Sequence, residues 1–346
     1  MDTQIKTQVS DFVVTFSSIL WEAMPFIVLG AVIAGILEEL LPQQLIGRII
    51  PRSALPAAII GGLLGLIFPM CECGIVVVMR RLLRKGLPLA SCISYMLAGP
   101  IVNVIVLLST YVAFGGLNKG GGLGWQMVAL RAGLGFFVAV VTGCVVHLVQ
   151  KKYGNAALLT PLALPPKASS LSLQMAGGDA EEAPQKRQPW LKRIGNISET
   201  ALHDFLDITV FLTLGAALAA VAKSAISTED IQSLTRNYPL LAIPAMMFLA
   251  VILCLCSEAD AFVAASFTEM SVSSKLAFLV LGPMLDLKLL LMYTRVFRAR
   301  LIAVIVTCTI IQSGVYSVIV HRFYNPAPGA TGSSDKAPVE SPSPAP

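Results

Sequence analysis

Two cysteine pairs of the same form, Cys71-Glu72-Cys73 and Cys254-Leu255-Cys256, each precede a Gly-Pro pair (Gly99-Pro100 and Gly282-Pro283) by the same distance. Thiolates select soft acceptors over hard cations, so four sulfurs brought to one place would suit a thiophilic ion or an arsenical. The dipole at a helix N-terminus favours a thiolate, which makes Cys73, and Cys71 with it, the expected reactive thiols. Oxygen donors accompany both pairs: Glu72 lies inside the first, while Ser257, Glu258 and Asp260 follow the second. Cys92, Cys144 and Cys308 are scattered singly on apolar stretches and read as packing residues.

Polar groups inside apolar stretches are costly in a bilayer and so are functional candidates; Glu22, Asn103, Asp207, Asp286 and Lys288 qualify. Asn103 and Asp286 fall just after the Gly-Pro pairs, where freed backbone carbonyls and a side-chain oxygen can line a cavity. The expected binding set is therefore Cys71, Glu72, Cys73, Cys254, Cys256, Ser257, Glu258, Asp260, Asn103 and Asp286. An ionised carboxylate at bilayer depth costs several kcal/mol unless it is paired or faces water. Glu22 and Asp207 are accordingly expected to exchange protons and to couple transport to a gradient.

The elements that must carry these groups are membrane helices. Of 346 residues, 55% are hydrophobic and 13% charged, with a mean hydropathy of +0.76, against about 25% charged in a soluble domain. That composition excludes a cytosolic enzyme or a nucleic-acid binder. The seven cysteines give no disulfide framework, because most lie inside apolar segments. Apolar windows predict helices near 12–37, 87–114, 124–149, 203–223, 276–297 and 301–320. Leu55 to Pro69 is uncharged but too short to span a core of about 30 Å, and Pro239 to Cys256 is borderline. Both end at a cysteine pair. Residues 153–199 switch to Pro, Ala, Ser, Gly and charge and are expected to be a disordered linker, as is the Pro/Ser-rich tail 325–346.

The stretch from Phe68 to Phe114 aligns without a gap on the stretch from Val251 to Phe297: Cys71 falls on Cys254, Cys73 on Cys256 and Asn103 on Asp286. Allowing a shift of two, Glu22 meets Asp207. The chain is an internal duplication, with one membrane repeat over 1–152 and a second over 200–324. If each short segment dips in and returns at its C-x-C, each half crosses three times and the second half is inverted. Twelve basic residues, among them Arg80, Arg81 and Lys288, then share the linker's side, and eight, among them Arg131, lie opposite. That bias favours inversion, with a cytoplasmic linker and both termini outside. The expected fold is an all-α integral membrane protein of two inverted repeats, each with about three spanning helices and a broken or re-entrant helix that carries a C-x-C. Short, Gly/Pro-interrupted segments at matching positions of two halves point to a transport site at the midplane.

The motifs PMCECG followed by RKG-P, LAGPIVN, LCSEADAFVAASF and FLVLGPMLDLKLL resemble those of the predicted permeases of the ArsP/YraQ type, over nearly the whole chain outside linker and tail. Val77 or Val78 stands where that family often has a proline after the first cysteine pair. The resemblance implies a permease; characterised members export trivalent organoarsenicals and related thiol-reactive compounds, and many others have no known substrate. The expected protein is a secondary transporter of a bacterial inner membrane, not an enzyme, and it needs no cofactor. It sits in the lipid bilayer, takes a small soft ligand, binds no nucleic acid and could assemble as a homo-oligomer or with an accessory subunit. No G-x-x-x-x-G-K-[ST] loop is present to bind ATP. The alternative is a membrane thiol oxidoreductase that uses the C-x-C pairs as dithiols.

Overall fold

The computed structural model describes residues 2–40, 51, 53–68, 70–115, 122–161, 163, 190–225, 241–267 and 270–324. Most of the expected linker and the whole tail 325–346 lie outside the described residues.

Among the described residues the chain is helical, without a β-strand. The first half runs through α1 (Asp2–Leu40), α2 (Ala54–Ile67), α3 (Glu72–Arg84), α4 (Leu89–Ala98), α5 (Val104–Gly115) and α6 (Gly122–Tyr153), followed by a single turn, α7 (Asn155–Leu158). The second half repeats the order with α8 (Trp190–Ala225), α9 (Ala242–Leu253), α10 (Ser257–Ser266), α11 (Val272–Leu281), α12 (Leu287–Val296) and α13 (Ala299–Tyr324). The counterparts α4 and α11, and the starts of α5 and α12, are related by the same offset as the cysteine pairs.

Five stretches among the described residues are long and apolar enough to cross a membrane: Val9–Ile36, Gly122–Tyr153, Ala201–Ala222, Val272–Val296 and Ala299–Phe323. The expected span 87–114 is two helices, α4 and α5, separated at Gly99-Pro100. Its counterpart 276–297 is interrupted in the same way by a 3-10 turn, Gly282–Met284, between α11 and α12. Proline lacks the N–H that would continue a helical ladder, so each Gly-Pro ends one helix and frees backbone groups that must be satisfied elsewhere. The helix α8 also takes in the last ten residues of the expected linker, 190–199. At its other end, the linker begins folded: Thr160 N–H donates to Val296 O at 3.1 Å and Arg298 N–H to Leu158 O at 2.9 Å.

Length and exposure sort the helices. The long ones, α1, α6, α8 and α13, present apolar residues outward, such as Trp21, Leu148, Leu206 and Ile311. Of the short ones, α3 and α4 lie in the interior: every residue of α4, and all of α3 but its last, is buried, whereas α2 and α5 also expose apolar residues such as Leu63 and Leu108. Lipid tails give no hydrophobic gain on helix association, so this interior depends on close packing at small residues. A β-carbon added at Gly65 of α2 would come within 2.7 Å of Gly99 Cα, and one at Gly30 of α1 within 2.9 Å of Gly74 Cα. The glycine of PMCECG thus lets the first turn of α3 lie directly on α1.

Candidate thiol site at the junction of the two halves

Each cysteine pair occupies a gap between two helices, and the two gaps meet. Cys71 is the N-cap of α3, with Glu72 and Cys73 in its first turn. In the second half Cys254 ends α9 in the left-handed conformation, φ 48°, a region that non-glycine residues seldom adopt. Cys256 caps α10, its sulfur accepting from Ala259 N–H at 3.4 Å. All four cysteines line one small cavity with Glu22, Glu72 and Lys288. Its volume is about 20 Å³, room for roughly one water. All seven cysteines are free thiols. Among the described residues no three His, Cys, Asp or Glu side chains are grouped so as to hold a metal ion. Four sulfurs therefore share a cavity wall without forming a closed ligand cage in this conformation.

Charge inside the cavity is paired across the two halves. The Cys256 thiol donates to Glu22 Oε1 at 2.7 Å. Lys288 Nζ donates to Glu72 Oε1 at 2.9 Å and to the carbonyl of Cys254 at 3.1 Å, and stands 3.4 Å from Asp286 Oδ2. Glu72, Asp286 and Lys288 are each at most 3% exposed, so any one of them without the others would be an uncompensated charge in a low-dielectric interior. Gly215 of α8 makes room for this group: a β-carbon there would come within 2.7 Å of Lys288 Cα.

The remaining predicted residues are placed differently. Asn103 caps α5, its Oδ1 accepting from Ile105 N–H at 2.9 Å, and Asp286 caps α12, accepting from Leu289 N–H at 2.6 Å. Neither lines the thiol cavity; nor do Ser257, Glu258 and Asp260. Asp207 is not beside Glu22's thiol partner. Its carboxylate is held by two guanidiniums, Arg295 at 2.7 Å and Arg80 at 2.9 Å, and that double pairing separates it from Glu22, whose bond is to a thiol.

Sequence reasoning missed Arg131. Counted as a loop charge, it is 0% exposed inside α6, with Nη1 donating to Thr110 Oγ1 at 2.7 Å and Nη2 to the carbonyl of Ser257 at 2.8 Å. Arg80, Arg81 and Lys288 are also buried. Removing these four from the charge count leaves nine against seven, a much weaker topological bias. The signal that could have found Arg131 is its isolation: no other charge lies between Lys119 and His147.

The chain matches the predicted permease family over residues 8–322. It is similar to the UPF0718 protein YcgR of Bacillus subtilis, 34% identical over 297 residues that cover 86% of this chain and 92% of that one. It is also similar to a Streptococcus mutans protein described as a putative two-component membrane permease complex subunit, 32% identical over 306 residues covering 88% and 93%. No solved structure matches it. Five membrane-length apolar segments, a duplicated set of broken helices and these matches together place the chain in the ArsP-type predicted permease family, as a multi-pass membrane protein.

Proposed function

We propose that this permease carries a thiophilic species, an organoarsenical, a metalloid or a soft metal, out of a bacterial cell across the inner membrane, by way of the cavity between the two cysteine pairs. The observation that carries the reading is the meeting of Cys71, Cys73, Cys254 and Cys256, two from each half, at one cavity. A site built from two equivalent breaks is suited to alternating access, in which the halves rock about a central ligand. A cavity with room for one water is then an occluded state, and admission of a ligand requires the halves to part.

In this proposal the repeats are inverted, the C-x-C segments are re-entrant and the linker is cytoplasmic. A thiol that binds a soft atom must give up its proton, and Glu22 receives that of Cys256 directly, passing it to water or to the departing hydroxide of an arsenical. The coupling role is thereby assigned to Glu22. Asp207, in its double ion pair, joins α8 to α3 and α12 and takes part in coupling only if that pairing opens. The Streptococcus mutans relative's description as a complex subunit supports an accessory partner for this chain as well.

Uptake of phenylarsine oxide into everted membrane vesicles tests the proposal. Vesicles with the protein are expected to accumulate it, and Ser at any one of the four paired cysteines is expected to reduce uptake far more than Ser at Cys92 or Cys308. Equal uptake by vesicles with and without the protein would remove the thiophilic substrate.

A further inference from the structure

A second buried polar group lies beside the thiol cavity and outside it. Arg131 uses two of its nitrogens on Thr110 and Ser257, and its Nε has no partner. Asp260, in the first turn of α10, is 1% exposed, and its Oδ2 has no hydrogen-bond partner; the Ser257 hydroxyl is also unpartnered. A buried polar atom left unpaired carries a desolvation cost, and such atoms in a native interior require an explanation.

The position of Asp260 supplies one. A β-carbon added at Gly282 would fall 2.8 Å from Asp260 Oδ2, so the carboxylate lies against the Gly-Pro break of the second half. The charged groups facing it come from several elements: Arg131 from α6, Glu72 from α3, Lys288 of α12 and Asp286 just before it; Cys256 and Glu258, at the start of its own helix, face Arg131. The cations are engaged elsewhere. Lys288 serves Glu72 and the Cys254 carbonyl, and Arg131 donates to the Thr110 hydroxyl and the Ser257 carbonyl. An open oxygen at a helix break, beside an arginine that keeps its own bonds, is the geometry of a group that gains and loses a proton.

We propose that Asp260 is a proton-binding site separate from the thiol cavity, at which a proton taken from water on one side of the membrane and released on the other resets α10 against the Gly282-Pro283 break. Arg131 is the fixed counter-charge, tied to the backbone next to Cys256 so that the state of Asp260 is transmitted to the thiols. The role in transport rests on the permease reading; the proton site does not.

Infrared difference spectra of the full-length protein in lipid, recorded as the pH is lowered, test the site without any substrate. Subtracting the Asp260→Asn spectrum from the wild type is expected to leave one protonated-carboxyl C=O band, and Asp260→Glu is expected to restore a band at a changed midpoint, which excludes misfolding as the cause of its loss. Glu22→Gln is expected to leave the Asp260 band in place. Identical wild-type and Asp260→Asn spectra would overturn the proposal and leave the permease reading standing. The band with no vesicle uptake would do the reverse.

Discussion

Asn103 and Asp286 do the same work at equivalent points of the two halves: each side-chain oxygen accepts a backbone N–H and starts the helix that follows a Gly-Pro break. One is neutral and the other is charged, and only the charged one has a lysine 3.4 Å away. Capping therefore needs the oxygen alone, and the charge of Asp286 serves Lys288. Replacing Asp286 with Asn is expected to keep the cap, whereas Ala is expected to cost about 1 kcal/mol more by losing it. Thermal unfolding of the purified variants in detergent measures the difference; equal losses would show that the cap contributes nothing.

Lys288 and Glu72 join α12 to the first turn of α3 at 2.9 Å, both nearly inaccessible. Lys288→Met alone is expected to destabilise by about 3 to 5 kcal/mol, because it leaves two buried carboxylates without their cation, whereas Glu72→Gln leaves Lys288 paired with Asp286 and is expected to cost less. The double variant, in which only Asp286 still lacks the lysine, is expected to recover part of the Lys288→Met loss. A double-mutant cycle on unfolding free energies checks it, and additive losses would mean that the pair does not act as a unit.

Glu22 is the hydrogen-bond acceptor of the Cys256 thiol. Proton removal by a positioned base commonly contributes about 10²-fold or more, so Glu22→Gln is expected to slow maleimide modification of Cys256 by about that factor. Mass spectrometry of the modified peptide reads the rate. Modification of Cys92, which donates only a long contact to the Leu87 carbonyl at 4.0 Å, is expected not to change.

Gly65 meets Gly99 where α2 crosses the first Gly-Pro break. Gly65→Ala puts a methyl group against backbone, which cannot move aside as a side chain can, and is expected to cost about 1 to 3 kcal/mol. Gly133, with nothing within 4 Å of its would-be β-carbon, is the control. Comparable unfolding midpoints for the two alanine variants would show that the crossing is not tightly packed.

The sequence announced the cysteine pairs, the short α2 and the duplication, because these are local spacings and repeats. Hydropathy ran α4 and α5 together, since apolar residues continue on both sides of Gly99-Pro100, and only the Gly-Pro pair itself marked the break. Asn103 and Asp286 were visible as polar residues beyond those breaks, but a capping oxygen and a cavity-lining oxygen look alike in a sequence. Arg131 was misread because its acceptor, the Ser257 carbonyl, is 126 residues away and a backbone carbonyl has no identity in the sequence. Asp207 was matched to Glu22 by the repeat, yet its partners are arginines whose counterparts in the other half, Val263 for Arg80 and Val112 for Arg295, are apolar.

That inequality extends through the interior. At the repeat offset Glu72 corresponds to Leu255, Lys288 to Ile105, and Arg131 to Gly314. The backbone was copied but its charges were not, and the bonds that hold the interior run from one half to the other: Glu72 to Lys288, Arg131 to Ser257, Glu22 to Cys256, Arg80 to Asp207. Two first halves placed together would bury two copies of Glu72 and four arginines, Arg80 and Arg131 from each, without their partners from the other half, and two second halves would leave each Lys288 with Asp286 alone. Each half thus supplies the partners that the other half's buried charges need, so the two halves complement each other and not themselves.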